Sequence, residues 1–522
     1  MLLGIDLGTT FCCVAYVDEE GVARLVPSSD GESTTPSVIW FDGRNAWVGQ
    51  KANAKKQQAP ESVYEFVKRN IGRGIDDPVA AYNVGGYRWG AAGMSAIILR
   101  KLKKDAVRLF KKQGLLHESA EEKTVQFDTI ITVPAHFGDK HRQETALAAY
   151  AAGLDVAGII NEPTAAALTF AGSAGRRDFA RVMVFDLGGG TCDVTILEMR
   201  GDEATVLAST GNQNIGGKDW DLLIVRYIQE FVRRTTGGRL PDERVYEVQQ
   251  LAVGAKHELT DSASTSVPLT VGEHDLEIPL SRGGSGRRTL SVRLPSGEAF
   301  DFEMVSTELL SRCEALCSQV LQETQIESAS GRRGIQWDDL DQIVLAGSAS
   351  RMPMIAAMLQ RISGREIKSD VSAFNPDTAV AIGAALYGHN RARVNDVVAH
   401  AIGITVEDAR RRRVIDHLIQ KNDPKPTRAQ RTYNAPANAL LEIHEGEDDV
   451  WHEATIRGRL ELNNVPGVVT VAMEIDVNGR IVATAEQAGS PPRRLEIRNE
   501  QYRTGERAEE LRRRVQAVTV NL

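Results

Sequence analysis

Two short segments of the chain combine Asp, Gly and Thr in an order suited to binding phosphate. Residues 5–14 read IDLGTTFCCV, and residues 184–197 read VFDLGGGTCDVTIL. In both, an apolar run ends in Asp-Leu-Gly, a Thr follows, and a second apolar run begins, which predicts strand, tight turn and strand. Glycines in such turns let backbone N–H groups approach a phosphate closely. An Asp at each turn suits hydrated Mg²⁺, which binds one or two carboxylates together with substrate phosphates. Two such hairpins facing each other would hold a nucleoside triphosphate from both sides.

The repetition makes this interpretation specific. A single DLGGG is as compatible with an ordinary β-turn as with a phosphate site, whereas two copies in the same order make the β-turn explanation the weaker one. Neither copy has the GK[ST] ending of a P-loop or the GxGxxG pattern of a dinucleotide site. The predicted phosphate site is therefore a pair of hairpins and not a helix N-terminus.

Two further charged residues could act on a bound phosphate. Glu162 lies in IINEPTAAAL, between an apolar run and an alanine-rich helix, and a carboxylate there could orient or deprotonate a water for in-line attack. An acid at a helix start is more often explained by the helix dipole. Lys68 in YEFVKRNIGR is one lysine among many, so spacing alone selects neither residue.

Composition places the chain among ordinary globular proteins. At 522 residues it is too long for one core and predicts two to four domains. The net charge of −8 gives no general reason to expect nucleic-acid binding, and no run approaches the 18 apolar residues of a membrane helix. The five cysteines show neither a disulfide framework nor a zinc spacing, and the sequence begins directly with the first strand. We therefore expect a cytoplasmic protein that binds neither nucleic acid nor membrane.

The elements that must position these residues change in character near residue 388. Up to that point strand-like runs alternate with helical periodicity, which is typical of α/β architecture. Period-2 alternation then predicts an antiparallel β-domain over about residues 397–497, and residues 499–518 are predicted to be helical. The arginine runs 410–413 and 512–514 are typical of solvated surface, and we assign them no function.

Seven motifs occur in one order along the chain: IDLGTT, VKRNIGR, ITVPAHF, INEPTAAAL, FDLGGGTCD, NIGGKDWD and NPDTAVAIGAAL. They resemble the 70-kilodalton heat-shock chaperone family of the DnaK type over essentially all of residues 1–390, and more weakly to about residue 500. The resemblance implies an α/β actin-like ATPase domain (ribonuclease H-like, two-lobed), a linker, an antiparallel β-sandwich that binds extended peptide, and one short C-terminal helix. The implied boundaries are 1–388, 389–397, 398–497 and 498–522.

The resemblance also implies roles for single residues. Lys68 matches the lysine that reaches the γ-phosphate, and Glu162 the acid beside the attacking water. The implied catalytic set is Lys68, Glu162, Asp186, Thr191 and Asp193, and the acids that meet Mg²⁺, largely through water, are Asp6 and Asp186. The residues matching nucleotide contacts are Gly8, Thr9, Thr10, Gly188, Gly189, Gly190, Gly216, Gly217, Lys256, Thr260, Gly347, Ser348, Arg351 and Asp377.

Further residues match family positions for communication between the ATPase domain and the linker, and for peptide binding. Pro134 and Arg142 match the switch proline and its arginine sensor, which pass the nucleotide state to the linker. The residues that match the peptide groove are Ile404, Tyr433, Ala439 and Leu441, for which plain sandwich core is an equally good explanation.

The sequence departs from the family at several positions. Val253 replaces an acid that contacts the nucleoside, Ser348 replaces the second of two glycines, and His136 replaces the tyrosine after the switch proline. The linker continues after Asp396 with Val-Val-Ala-His where the family has leucines, which puts coupling between the domains in doubt. About twenty residues follow the β-domain, so one helix of about 30 Å could partly roof the groove but could not form the family's helical lid bundle.

These observations favour an ATP-dependent chaperone, with ATP hydrolysed to ADP and phosphate. The implied cofactors are ATP or ADP and Mg²⁺, with K⁺ as a second cation to consider. The implied partners are unfolded polypeptide, a J-domain co-chaperone and a nucleotide-exchange factor, acting on a monomer. Three alternatives remain: an ATP-gated adaptor for one client, a sugar or metabolite kinase on the same fold, and a filament-forming actin homologue. The C-terminal β-domain argues against the last two.

Overall fold

The structure is a computed structural model that describes most of the chain. The residues outside the description are 74, 76, 79, 174–178, 202, 284–300, 329–330, 368–373, 390–392, 409, 437–438, 449–454, 463–466, 478, 488–491 and 498–505. Parts of the predicted linker and of the predicted C-terminal segment therefore lie outside the described residues.

The first sheet is built around the first hairpin. Strand β1 (Leu2–Asp6) pairs antiparallel with β2 (Phe11–Val17) and parallel with β10 (Asp128–Val133). The order is β11-β10-β1-β2-β3, and β4 also pairs with β2; these strands are β11 at Asp155–Asn161, β3 at Ala23–Leu25 and β4 at Thr35–Pro36. The carboxyl ends of the parallel strands meet at one edge, which brings Asp6 and Glu162 to the same side of the sheet.

The second sheet repeats this arrangement around the second hairpin. Strands β12 (Ala180–Leu187) and β13 (Cys192–Arg200) pair antiparallel, with Asp186 opposite Asp193. The order is β19-β12-β13-β14-β20, with β14 at Glu203–Asn212, β19 at Gln342–Ala346 and β20 at Arg393–Asn395. Since β20 belongs to the predicted linker, the linker forms the edge strand of this sheet.

Two helices with small side chains pack against each other beside β1. These are α4 (Glu162–Ser173) and α10 (Ala379–Gly388). A Cβ atom on Gly383 would lie 1.8 Å from the carbonyl oxygen of Ala165, and one on Gly4 would lie 2.2 Å from the Ala385 nitrogen. The alanine- and glycine-rich sequences of the two helices therefore permit packing at backbone contact distance.

The remaining helices and strands of the N-terminal part, residues 1–388, enclose two large apolar cores. The helices are α1 (Gln50–Lys55), α2 (Ala91–Lys112), α3 (Asp139–Ala152), α5 (Gly217–Thr236), α6 (Val245–Asp261), α7 (Phe302–Val305), α8 (Thr307–Glu323) and α9 (Pro353–Ser363). The strands are β5 (Val38–Asp42), β6 (Asn45–Val48), β7 (Val63–Glu65), β8 (Tyr82–Val84), β9 (Tyr87–Trp89), β15 (Ser264–Val271), β16 (His274–Ser281), β17 (Gln325–Ser328) and β18 (Gly331–Gly334). Within the described ranges, no helix combines the length and apolar character that a membrane crossing requires.

After the linker, eight strands form a β-sandwich. Its two antiparallel sheets have the orders β22-β21-β24-β25 and β23-β26-β27-β28. Inward-facing side chains of both sheets, among them Ile402, Ile443 and Met473, share one apolar core. The strands are β21 (Ile402–Glu407), β22 (Arg413–Ile419), β23 (Thr427–Ala435), β24 (Ala439–Glu445), β25 (Thr455–Leu462), β26 (Gly467–Ile475), β27 (Ile481–Gln487) and β28 (Arg493–Ile497).

The C-terminal segment packs on the N-terminal part. Helix α11 (Glu506–Ala517) lies against α3 and α2, and strand β29 (Thr519–Asn521) pairs in parallel with β6. The expectation that this helix would partly roof the β-sandwich is therefore wrong. Its apolar side chains, together with those of β29, are buried in the core around α2, which explains the different position.

Candidate active site

The glycine backbone of the second hairpin turn packs against threonine side chains of the first. Gly188 N–H donates to the Thr191 carbonyl at 3.0 Å, which closes the second turn. A Cβ atom on Gly189 would lie 1.6 Å from Thr10 Oγ1, so only glycine fits there. The two turns therefore face each other across a narrow gap.

A cleft of about 690 Å³ opens beside these turns. Its lining includes seventeen of the sequence-predicted site residues: Asp6, Gly8, Thr9, Thr10, Lys68, Glu162, Asp186, Gly188, Gly189, Thr191, Gly217, Lys256, Thr260, Gly347, Ser348, Arg351 and Asp377. Gly190 and Gly216 lie directly behind the turn, because a Cβ atom on Gly216 would be 2.5 Å from the Gly190 nitrogen. Residues distant in sequence thus converge on one cleft.

Buried charges concentrate at the end of the cleft that holds the turns. Lys68 Nζ lies 2.5 Å from Glu162 Oε1, and both side chains are buried. Burial raises the pKa of Glu162 to about 7, with Asp6 and Asp193 adding to the effect and Lys68 opposing it. Burial, reinforced by the neighbouring acids, also raises the pKa of Asp186 well above its usual range. Because buried carboxylates outnumber buried cations here, a bound cation would stabilise their ionised forms.

The donor set fits a hydrated Mg²⁺ better than a metal held by protein alone. Among the described residues no group of three His, Cys, Asp or Glu side chains could hold a metal ion by itself. Asp6 Oδ1 accepts a hydrogen bond from Thr132 Oγ1 at 3.1 Å, and Asp6 lines the cleft. Asp193 Oδ2 is buried and has no hydrogen-bond partner within the described part of the chain. These atoms could receive metal-bound water and an attacking water.

Lys256, Val253 and Gly347 form a further part of the cleft lining. Lys256 Nζ lies 2.7 Å from Asp221 Oδ1 and donates to the Gly217 carbonyl at 3.1 Å, while Val253 lines the same wall. Gly347 has a φ of +76°, and a Cβ atom there would lie 2.5 Å from the Leu187 carbonyl. This backbone can therefore approach the second turn only because it is glycine.

Sequence reasoning missed Arg69 and Asp221. Arg69 Nη2 donates to the Gly190 carbonyl at 2.9 Å and to Asp219 Oδ2 at 2.8 Å, which ties the segment after Lys68 to the second phosphate turn. The only sequence signal was its position next to Lys68. Asp221 is the partner of Lys256, and its place in NIGGKDWD gave no hint of that pairing.

The linker reaches the active site through Asn161. Its Nδ2 donates to Asp396 Oδ1 at 3.1 Å and to Oδ2 at 3.2 Å, and its Oδ1 accepts from Arg142 Nη2 at 2.5 Å. Lys425 of the β-sandwich holds Asp396 from the other side at 3.0 Å. Burial opposes ionisation of Asp396, but Lys425 and Arg142 outweigh it and lower its pKa. The predicted sensor Arg142 is thus two hydrogen bonds from the linker, and Asn161 immediately precedes Glu162.

A second connection runs through His136. Its backbone N–H donates to Asp193 Oδ1 at 3.2 Å, and its Nδ1 lies 2.8 Å from the same oxygen. Its carbonyl accepts from His400 Nε2 at 2.8 Å, while His400 Nδ1 lies 3.1 Å from Glu447. Both His400 nitrogens face acceptors, which favours the charged imidazolium. Burial opposes this charge, but Glu447 and Glu445 outweigh it and raise the pKa of His400.

The surface after the predicted switch proline completes the interface with the β-sandwich. Pro134 lies in the buried turn that leads to α3, where Asp139 N–H donates to Glu445 Oε1 at 3.0 Å. Glu445 is held in turn by Arg457. Burial, with the charge of Glu445, raises the pKa of Asp139 to about 7.

The four residues predicted for the peptide groove lie in or against the sandwich core. Ile404 is fully buried, and Tyr433, Ala439 and Leu441 are half-buried beside it. The Tyr433 hydroxyl donates to Asp416 Oδ2 at 2.8 Å. Their assignment to a peptide groove stays a prediction.

Comparisons with known proteins identify the family of the chain. The family profile described as "Hsp70 protein" matches residues 2–520. The "Chaperone protein DnaK" of Prochlorococcus marinus (strain MIT 9515) is 30% identical over 526 residues, which cover 94% of this chain and 76% of that protein. The chain therefore belongs to the Hsp70 family and is an ATP-dependent chaperone that hydrolyses ATP.

Proposed function

We propose that ATP is hydrolysed between the two phosphate turns and that the β-sandwich, docked through Asn161 and His136, sets the rate. The proposal includes a two-lobed actin-like arrangement in which each sheet supplies one turn. The observation that carries it is the position of Asn161: it hydrogen-bonds the linker carboxylate of Asp396 and adjoins Glu162 in sequence.

In the hydrolytic step, the attacking water lies between Glu162 and Asp193. Glu162 accepts its proton, and Lys68, 2.5 Å from that carboxylate, holds Glu162 in place and stabilises negative charge on the γ-phosphate. Thr9, Thr10 and Thr191 donate to the phosphates beside the backbone of the turns. Asp6 and Asp186 would hold Mg²⁺ through water, and the ion would supply neutralisation of phosphate charge.

Docking of the β-sandwich influences Glu162 and Asp193, the two acids proposed to contact the attacking water. Release of Asp396 frees the amide of Asn161, next to Glu162, and release of His400 frees the carbonyl of His136, whose N–H and ring orient Asp193. Asn161 ends strand β11 directly before Glu162, and His136 contacts Asp193 itself, so loss of both contacts changes the surroundings of both acids when the sandwich leaves. The contacts before and after Asp396, including strand β20 and the buried Val397 and Val398, support coupling despite the altered linker sequence.

The partners follow from the family. The β-sandwich binds extended segments of unfolded polypeptide, and a J-domain co-chaperone and a nucleotide-exchange factor act on the N-terminal part. The protein works as a monomer in the cytoplasm, with ATP, ADP, Mg²⁺ and K⁺ as its small ligands. Family membership does not favour the dedicated adaptor.

The test is the affinity of a fluorescent extended hydrophobic peptide in ATP and in ADP. Glu162→Ala holds the ATP state, and the wild-type protein in ADP gives the other. Weaker and faster-exchanging binding in ATP is expected. Equal affinity and equal exchange rates in the two states would refute nucleotide-controlled peptide binding.

A further inference from the structure

The C-terminal clasp, defined as residues 506–521 and comprising α11, Val518 and β29, is built into the N-terminal part. Strand β29 aligns Thr519 with Asn45, Val520 with Ala46 and Asn521 with Trp47. The side chains of Ala508, Val515, Val518 and Val520 are at most 7% exposed and belong to the core around α2. Backbone pairing and apolar burial thus act on the same short segment.

Buried cations of α2 also depend on the clasp. Arg100, which is 3% exposed, donates from Nη1 to the carbonyls of Val515 at 2.8 Å and Val518 at 2.6 Å. Lys104 Nζ donates to the Val520 carbonyl at 2.6 Å. Val515 lies in the last turn of α11 and Val518 directly after it, where cations are favourable, and Val520 lies in β29. Departure of the clasp would leave a buried guanidinium without these acceptors and expose an apolar face.

The clasp closes the chain into a ring. Eight residues separate Ile497, the end of β28, from Glu506, the start of α11. Fully extended, that connection spans at most about 30 Å. The other end of the β-sandwich is joined to the N-terminal part through β20 and Asp396. The sandwich is therefore tethered at both ends.

We infer that the clasp stays seated in both nucleotide states and restrains the β-sandwich within this reach, and that it does not close over the peptide groove as a lid. The inference extends the proposed function, because it limits how far the sandwich moves once docking is released. A sandwich held this close redocks at a high effective concentration.

The test opens the ring without removing the clasp. Residues 499–505 are replaced by a seven-residue protease recognition sequence, and the protein is studied before and after cleavage. All five native cysteines are buried, so dyes can be placed on Lys123→Cys and Asn434→Cys for single-molecule energy transfer. An added Asn161→Ala substitution releases docking independently of nucleotide, so failure of the proposed nucleotide control does not affect this test.

In the uncut protein, we expect dye separations to stay within about 30 Å of the docked value. After cleavage, the released population should extend beyond that limit, while the clasp remains bound during gel filtration and the β29 amides remain protected from hydrogen exchange. Equal long-distance populations before and after cleavage, or β29 amides that exchange rapidly in ADP, would overturn the inference.

A pair of substitutions tests whether burial of β29 holds the clasp in place. Val520→Asp places a charge in the core and should raise amide exchange throughout β29 by at least tenfold. Val477→Asp, at a position that is 65% exposed, is the matched control and should leave it unchanged. Unchanged exchange in Val520→Asp would show that burial of β29 does not hold the clasp.

Discussion

Replacing Asn161 with Ala should weaken docking of the β-sandwich on the N-terminal part. Asn161 is 4% exposed, and its Nδ2 atom donates to both oxygens of Asp396, at 3.1 and 3.2 Å. Since both contacts come from one nitrogen, we count them as one charge-assisted bond, which contributes about 1.5–3 kcal/mol. The ratio of docked to undocked protein should therefore fall by roughly 10- to 150-fold.

Hydrogen exchange measured by mass spectrometry can report this ratio directly. Amides of Arg393–Asn395 pair with β14 only when the linker is docked, so their protection should fall by the same factor. The Val398 amide provides an internal reference, because it donates to the Asp423 carbonyl at 2.8 Å within the β-sandwich. Its protection should not change.

The exposed Asn83, in β8, offers a control substitution outside the interface. Asn83→Ala should alter linker exchange by less than about twofold, as is usual for surface substitutions. Unchanged protection of Arg393–Asn395 in Asn161→Ala, with unchanged ATP turnover, would refute the role of Asn161 as the connection between linker and active site.

Three further outcomes are expected. Lys68→Ala should reduce single-turnover ATP hydrolysis by about 10²- to 10³-fold, since it removes a positioned cation beside Glu162; a loss below tenfold would contradict its catalytic role. Docking, measured by dye separation, should be weaker at pH 8 than at pH 6. The pKa of His400 is raised in the docked protein, so its contribution to docking is lost as the pH rises through that pKa. Asp139 acts in the same direction: its pKa is raised to about 7, and above that pH a buried negative charge opposes docking. A dye separation that does not change with pH would contradict this prediction, as would a His400→Gln variant whose dye separation changes with pH as much as that of the wild-type protein. Val253→Glu should tighten ATP binding by about 2- to 10-fold in calorimetry, the contribution of one added hydrogen bond, whereas Val253→Gln tests shape without charge.

The sequence was sufficient to predict the two hairpins and their turns, because each depends on residue types within one short segment. Asp6, Thr9 and Thr10 repeat in pattern as Asp186 and the Gly188–Thr191 turn, and both copies lie on the cleft. Arg69 could not be predicted in this way. Its bond to the Gly190 carbonyl depends on how closely the two sheets approach each other, which no local pattern encodes.

Positions that depend on docking were harder to predict. The family resemblance selected Ile404 and Leu441 for the peptide groove, but a match of residue types could not distinguish a groove from packed core. The final helix was predicted from its periodicity, but β29 has only three residues, too few for an alternation signal. Its pairing with β6 is a contact across more than 470 residues and was therefore invisible in the sequence.

The linker strand has a consequence for the surface that it covers. When β20 leaves, β14 becomes the edge of its sheet, with unpaired N–H and C=O groups over the stretch from Glu203 to Thr205. An open edge can pair with any extended chain, including another copy of the protein. Glu203 places a charge at the start of that edge, and charged edge residues are a common protection against aggregation. The undocking proposed above would therefore expose, for a limited time, a surface prone to self-association.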